Sequence, residues 1–267
     1  MTQFEKILVF DFDGVISNSI HESFMTAINT YIQMVPDHSL PISSPLKAGR
    51  LFEFEKKHRE LFQQFLLSMP LSNCAGDYYS VFQMMEHHGL NKIKNQTHFT
   101  QYTRSIPEEK RAHYNKLFYK NRAILQKKDP QGWILLIPPF PGIVEVIVSL
   151  SERFTLCIAT SKDRPSVDIL LKHYGLLDYF DAENILDKDF AHSKRDYIIR
   201  FNENLHVPYH HIHFIDDKVL HLLSVKDLGI HTYLALWGYN DKREHEIAQR
   251  EGFILLQLKN LKNIDNT

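Results

Sequence analysis

Two aspartates one residue apart, Asp11 and Asp13, follow the apolar run Ile7-Leu8-Val9-Phe10 and precede Gly14. Such a run reads as a strand buried on both faces of a parallel sheet. Side chains alternate along a strand, so both carboxylates would leave its carboxyl end pointing the same way, and Gly14 permits a sharp turn. In open α/β sheets that end of the strands is where ligands bind. Crowded carboxylates repel each other, and a divalent cation relieves the repulsion. Two further apolar runs end in polar residues: Phe154 to Ala159 in Thr160-Ser161-Lys162, and His211 to Ile215 in Asp216-Asp217. A parallel sheet gathers these ends although the sequence separates them widely. Carboxylates from two strands suit Mg²⁺, a hard cation that also takes phosphate oxygens. A hydroxyl and a lysine suit a phosphate. One aspartate can attack phosphorus to form an aspartyl-phosphate, while a second moves protons to the leaving oxygen and from water.

The elements that must position these residues follow from periodicity. From Phe140 onward strand and helix patterns alternate. Helix Ile143 to Leu150 leads into the strand before Thr160, and a helix from Pro165 to His173 leads to a short strand at Ile185-Leu186. Lys194 opens a helix carrying Tyr197, Ile198 and Phe201. After the strand that ends at Ile215 come helix Val219 to Leu228, strand His231 to Leu236, helix Lys242 to Arg250 and strand Phe253 to Leu256. This alternation implies a parallel sheet with right-handed crossovers.

Ile20 to Lys128 contains no such unit. Helices are expected over Ile20 to Val35, Leu46 to Leu67 and Tyr78 to His88, the last stopping at Gly89. Another begins at Ser105-Ile106-Pro107-Glu108, which has the form of a capping box, with Tyr114, Leu117, Phe118, Ile124 and Leu125 on its face. The fold class is therefore α/β, with an all-helical module (residues 19–137) inserted into a parallel-sheet core (residues 1–18 and 138–267).

The 267 residues are 43% hydrophobic and 24% charged, with a net charge of −1. Nothing in that balance suggests nucleic-acid or membrane attraction. Two cysteines, Cys74 and Cys157, imply no disulfide framework and point to a reducing compartment, the cytoplasm. The N-terminal stretch is neither a signal peptide nor long enough to span a bilayer. Nothing distinguishes a monomer from a homodimer.

Asp11-Phe12-Asp13-Gly14-Val15 resembles the first motif of the haloacid dehalogenase-like superfamily, Thr160-Ser161-Lys162 its second, Lys194 at the start of a helix its third, and Ile215-Asp216-Asp217 its fourth. Four motifs in the family's order make the likeness specific. It implies a Rossmann-like core with a helical cap between the first two motifs, as in the phosphoglycolate phosphatase group. It further implies a Mg²⁺-dependent phosphatase acting on a small phosphate monoester, with no nucleic-acid or membrane partner. Asp11 would be nucleophile and metal ligand. Asp13 would be the acid and base, its main-chain carbonyl also touching the metal. Thr160 and the main chain near Ser161 would hold the phosphoryl group, Lys194 would offset its charge, and Asp216 with Asp217 would complete the Mg²⁺ site. Which of the last two binds directly stays open.

Lys188 competes with Lys194 for the third motif, but the apolar positions after Lys194 favour the latter. Asp13 disfavours dehalogenase activity. A phosphomutase with the same core, and a catalytically idle binding module, remain as alternatives. His211 and His213 share one face of a strand and could bind a metal, though the sheet surface suits them better, with no third soft ligand nearby. Basic residues of the helical module are expected on its solvated face, Arg50 being the candidate substrate contact.

Overall fold

The computed structural model describes residues 5–87, 93, 95–191 and 193–266. Phe4, His88 and the expected helix stop at Gly89 lie outside them. The chain divides into two units, with boundaries after Asn18 and after Ile137.

Strand β1 (Ile7–Phe10) is buried at every position. The chain then enters the helical unit through α1 (Ile20–Met34), whose buried face includes Phe24, Ile28 and Tyr31 at helical spacing. The stretch expected as one helix from Leu46 to Leu67 is instead a 3₁₀ turn and two helices, α2 (Leu51–Lys57) and α3 (Arg59–Ser68), broken at His58. His58 has a non-helical backbone (φ −114°, ψ 46°), and the segments bury Leu51 and Glu55 on the first, Phe65 and Ser68 on the second. Next come α4 (Ala75–His87) and α5 (Gln96–Ser105). The sequence pattern gives no sign of α5, which buries only Phe99 and Thr103, too thin a stripe to register.

The capping box also fails. Ser105 ends α5 and its hydroxyl donates to the Tyr102 carbonyl, while α6 (Glu108–Lys128) has Pro107 at its N-cap. Tyr114 and Phe118 are buried as expected, but the next inward position is Arg122, and Ile124 is 40% exposed. Arg122 forks onto the buried Glu22 of α1 at 2.9 and 2.7 Å, so a charge pair replaces the expected aliphatic turn. Removing one partner of such a pair costs far more than replacing both by apolar groups. Helix α7 (Pro130–Leu135) closes the unit, with Asp129 as N-cap and Pro130 at its first position.

The other unit continues with α8 (Ile143–Leu150), β2 (Thr155–Ala159), α9 (Arg164–Tyr174), β3 (Ile185–Leu186) and α10 (Lys194–Leu205). It ends with β4 (Ile212–Asp216), α11 (Val219–Leu223), β5 (His231–Ala235), α12 (Lys242–Glu251) and β6 (Ile254–Leu256). Helix α11 is shorter than the pattern suggests, a 3₁₀ turn at Lys226–Leu228 taking over its last residues. All strands are parallel, in the order β3-β2-β1-β4-β5-β6. This is a Rossmann-like α/β fold, as the alternation of elements implies. Phe10 stands opposite Ile158 on one side and Ile215 on the other. The residues that follow β1, β2 and β4 are thereby level with one another. The strand order reverses at β1 and β4, so these ends flank the crevice where ligands bind in such sheets. Among the described residues no helix is long and apolar enough to cross a membrane.

Cys157 is buried in β2 and Cys74 is exposed; both are free thiols. The histidines depart from expectation. His211 precedes β4 in a 3₁₀ turn, and His213 is buried within the strand rather than on the sheet surface. Phe154 packs edge-on against His213, His231 stacks on it at 4.6 Å, and Tyr233 Oη lies 2.9 Å from its Nδ1. Burial, reinforced by His231 and Lys6, pushes the imidazole down to about 4. The unfolded chain takes up a proton near 6.5. The stability that neutral His213 contributes is therefore complete above about pH 6.5 and lost as pH falls through about 4. We expect the urea midpoint to fall over that window. His213→Gln, which keeps an acceptor for the Tyr233 hydroxyl, should flatten the fall; an unchanged slope would assign it to another group.

Candidate active site

Strand β1 ends at Phe10, so Asp11 and Asp13 stand on the turn that follows and take different partners. The Asp11 N–H still donates to the Ile215 carbonyl at 2.9 Å, which extends the ladder by one bond and fixes Asp11 beside Asp216. Asp11 Oδ1 accepts from the Phe12 N–H at 2.8 Å and from Lys194 Nζ at 2.8 Å. The same ammonium lies 3.2 Å from Asp216 Oδ2 and donates to the Ala159 carbonyl at 2.7 Å. One lysine thus ties together the ends of β1, β2 and β4. Lys194 is the first residue of α10, where the helix dipole disfavours a cation. The two carboxylates make that placement stable. Burial works against its charge, yet Asp11 and Asp216 more than offset this and hold the ammonium above the usual lysine range.

Two buried carboxylates sharing one cation are driven apart. Burial raises Asp11, opposed by Lys194, and the net shift is upward. Burial would raise Asp216 too, but His221 and Lys194, with the Lys218 N–H at 2.9 Å, hold it well below the usual carboxylate range. The His221 Nδ1 is 2.9 and 3.0 Å from the two Asp216 oxygens.

Asp13 turns the other way. Lys162 Nζ lies 3.0 Å from both of its oxygens, and the Ser17 hydroxyl donates to Oδ1 at 3.0 Å. Lys162 is fully buried while Asp13 is 30% exposed, so the carboxylate faces outward over a buried cation. Thr160 is buried just past β2, its hydroxyl accepting from the Lys162 N–H at 3.1 Å, and Ser161 is exposed beside it. The Tyr197 hydroxyl lies 2.8 to 3.2 Å from the carbonyls of Thr160, Asp187 and Ala191, which pins this loop. Lys188 pairs with the exposed Asp189 at 2.5 Å.

Asp217 does not join the cluster. Its Oδ2 accepts from the Tyr239 N–H at 2.8 Å, and its buried Oδ1 has no hydrogen-bond partner among the described residues. Burial and the neighbouring Asp216 push its carboxyl well above the usual range. It fills a space that two glycines leave. A Cβ on Gly14 (φ 88°) would sit 2.3 Å from Asp217 Oδ2, and one on Gly238 would sit 2.4 Å from the Gly14 carbonyl oxygen. Asn18 lies at the same edge, its side-chain oxygen accepting from the Tyr239 hydroxyl at 3.0 Å.

Residues 67–235, more than half of the chain, match the family model of the haloacid dehalogenase-like hydrolases. The chain belongs to this family. Asp11 and Asp13 precede the matched span, so their place in the site rests on the geometry above. No curated protein matches the sequence. Solved structures match in fold over almost the whole chain. A haloacid dehalogenase-like family hydrolase from Streptococcus pneumoniae is 15% identical (98% of this chain, 97% of that one, TM-score 0.58). A predicted phosphatase from Clostridium acetobutylicum is 17% identical (100% of each, TM-score 0.63). A predicted phosphoglycolate phosphatase from Haemophilus somnus is 16% identical (99% of each, TM-score 0.60). At such identities the likeness is one of fold.

For a haloacid dehalogenase-like hydrolase, the donor set fits a divalent cation. Asp11, Asp216 and His221 each place a ligand-competent atom within 4.8 Å of the others, and the two carboxylates are buried. Of the residues singled out by sequence, Asp11, Lys194 and Asp216 lie together. Sequence reasoning misses His221, five residues beyond Asp216, and the turning of Lys162 toward the Asp13 carboxylate instead of toward a phosphate. Gly238 also gave no signal, since its need arises from Asp217 and Gly14, remote in sequence. Gly238→Ala should lower unfolding stability by about 2 kcal/mol or more. Gly49→Ala, where a Cβ would meet nothing within 4 Å, should stay within about 0.5 kcal/mol of wild type. Equal effects in urea titration would discount the packing around Asp217.

Proposed function

We propose that this chain is a Mg²⁺-dependent phosphatase that hydrolyses a small-molecule phosphate monoester through an aspartyl-phosphate. The observation that carries the reading is the Lys194 ammonium held between Asp11 and Asp216, at the crevice where the strand order reverses. Both contacts that fix Asp11 fall on Oδ1, so Oδ2 is the oxygen assigned to attack phosphorus. Thr160 and the main chain at Ser161 receive the phosphoryl oxygens, and Lys194 offsets the charge of Asp11 and phosphate. Asp13 gives a proton to the leaving oxygen and later takes one from water, with Lys162 and Ser17 fixing its carboxylate. Bound Mg²⁺ would neutralise developing charge on the phosphoryl group and keep Asp11 ionised. Asp11, Asp216 and the Asp13 carbonyl are its assigned ligands. Asp217, bonded to Tyr239, supports the turn rather than the ion.

Phosphoryl transfer asks mainly for alignment and charge stabilisation, and this inventory supplies both. The helical unit is assigned the role of a cap that selects substrate. It contains a cavity of about 580 Å³ whose charged lining is Lys47, Arg50 and Lys57 with one acid, Glu53, a net basic set that suits an anionic group.

The decisive experiment is turnover of an aryl phosphate. Chelation should abolish it and added Mg²⁺ restore it. Asp11→Asn should eliminate turnover, because an amide is a far poorer nucleophile than a carboxylate. Asp13→Asn should slow release of phosphate by about 10²–10⁴-fold and let phosphate accumulate on Asp11, visible by mass spectrometry. Persistent turnover in Asp11→Asn, or full activity after exhaustive chelation, would overturn the reading.

A further inference from the structure

His221 stands in the middle of α11, five residues beyond Asp216, and the chemistry assigned above gives it no task. It is not a loose surface group. Its side chain is 19% exposed, Val219 and Leu222 root the helix in the core, and the Val219 N–H bonds the buried Glu244 of α12. The imidazole is therefore held at the strand end.

A histidine beside a buried carboxylate can serve as a donor that orients it or as a second ligand for the same ion. Asp216 is already oriented without it. The Lys218 N–H takes Oδ1 at 2.9 Å, and Lys194 lies 3.2 Å from Oδ2. Moreover, His221 converges on Asp11 as well as on Asp216, with ligand-competent atoms of all three within 4.8 Å; among the described residues no other group of three does so. The three atoms thus lie close enough together for one ion to take all of them.

We propose that His221 is a protein ligand of the divalent cation, and that its nitrogen tilts the site toward borderline ions such as Co²⁺ relative to Mg²⁺. This rests on reading the site as a divalent-metal phosphatase. Carboxylate and carbonyl oxygens alone favour Mg²⁺ or Mn²⁺, while imidazole suits the later first-row ions. A neutral imidazole offers one lone pair while its other nitrogen keeps the proton.

The test uses the full chain loaded with Mn²⁺ and examined by pulsed electron paramagnetic resonance, then titrated calorimetrically with Co²⁺ and with Mg²⁺. Wild type should show ¹⁴N coupling to Mn²⁺. His221→Asn and His221→Asp should lose it, and their Co²⁺-to-Mg²⁺ affinity ratio should fall by about tenfold or more. Mn²⁺ bound without nitrogen coupling in wild type would overturn the role of His221 while leaving the phosphatase reading intact. Coupling that persists in both variants would do the same. Failure of wild type to bind any of the three ions would overturn both.

Discussion

The structure depends on one ammonium group. The sheet brings Asp11 and Asp216 side by side at the ends of adjacent buried strands, where two carboxylates without compensation would be prohibitively costly. Lys194 lies within 2.8 and 3.2 Å of them and also takes a carbonyl of the next strand. The register of β1 with β4 sets the two acids side by side, and α10 supplies both the Lys194 that compensates them and the Tyr197 that closes the Thr160 loop. The same arrangement that neutralises the buried acids in the resting protein is the one a phosphoryl group, with its own negative charge, would need.

A second layer of charge surrounds this centre. Lys162 sits beneath Asp13 with no exposure of its own, and His221 faces Asp216. Acid groups near the crevice are thus sorted by their partners. Asp11 and Asp216 share Lys194, Asp13 has Lys162, and Asp217 faces inward against main-chain N–H and two glycines. Carboxylates that look alike in sequence are given different tasks by what each one touches.

Much of the core was legible because its determinants are local. Apolar runs ending in Asp, Thr or Asp-Asp mark strand ends in a parallel sheet, and the helical spacing after Lys194 marks the lysine that lies between Asp11 and Asp216. The helical unit was less legible. His58 leaves the helical conformation inside a continuous apolar pattern, and α5 has too narrow a buried stripe to announce itself. Arg122 reads as solvated face until Glu22, a hundred residues earlier, is known to lie against it. His213 reads as sheet surface until Phe154 and His231 are seen covering it. In the site itself, Lys162 and His221 were missed for the same reason: their meaning lies in a partner that only the fold supplies.

The central claim is that Lys194 is held by, and neutralises, two buried carboxylates. A double-mutant cycle measured by denaturant unfolding in the presence of a chelator tests it most directly. Lys194→Met should cost on the order of 3–5 kcal/mol in the wild-type background, because it leaves Asp11 and Asp216 uncompensated. In a chain already carrying Asp11→Asn and Asp216→Asn, the same change should cost only a small fraction of that. An equal cost in both backgrounds would contradict the account.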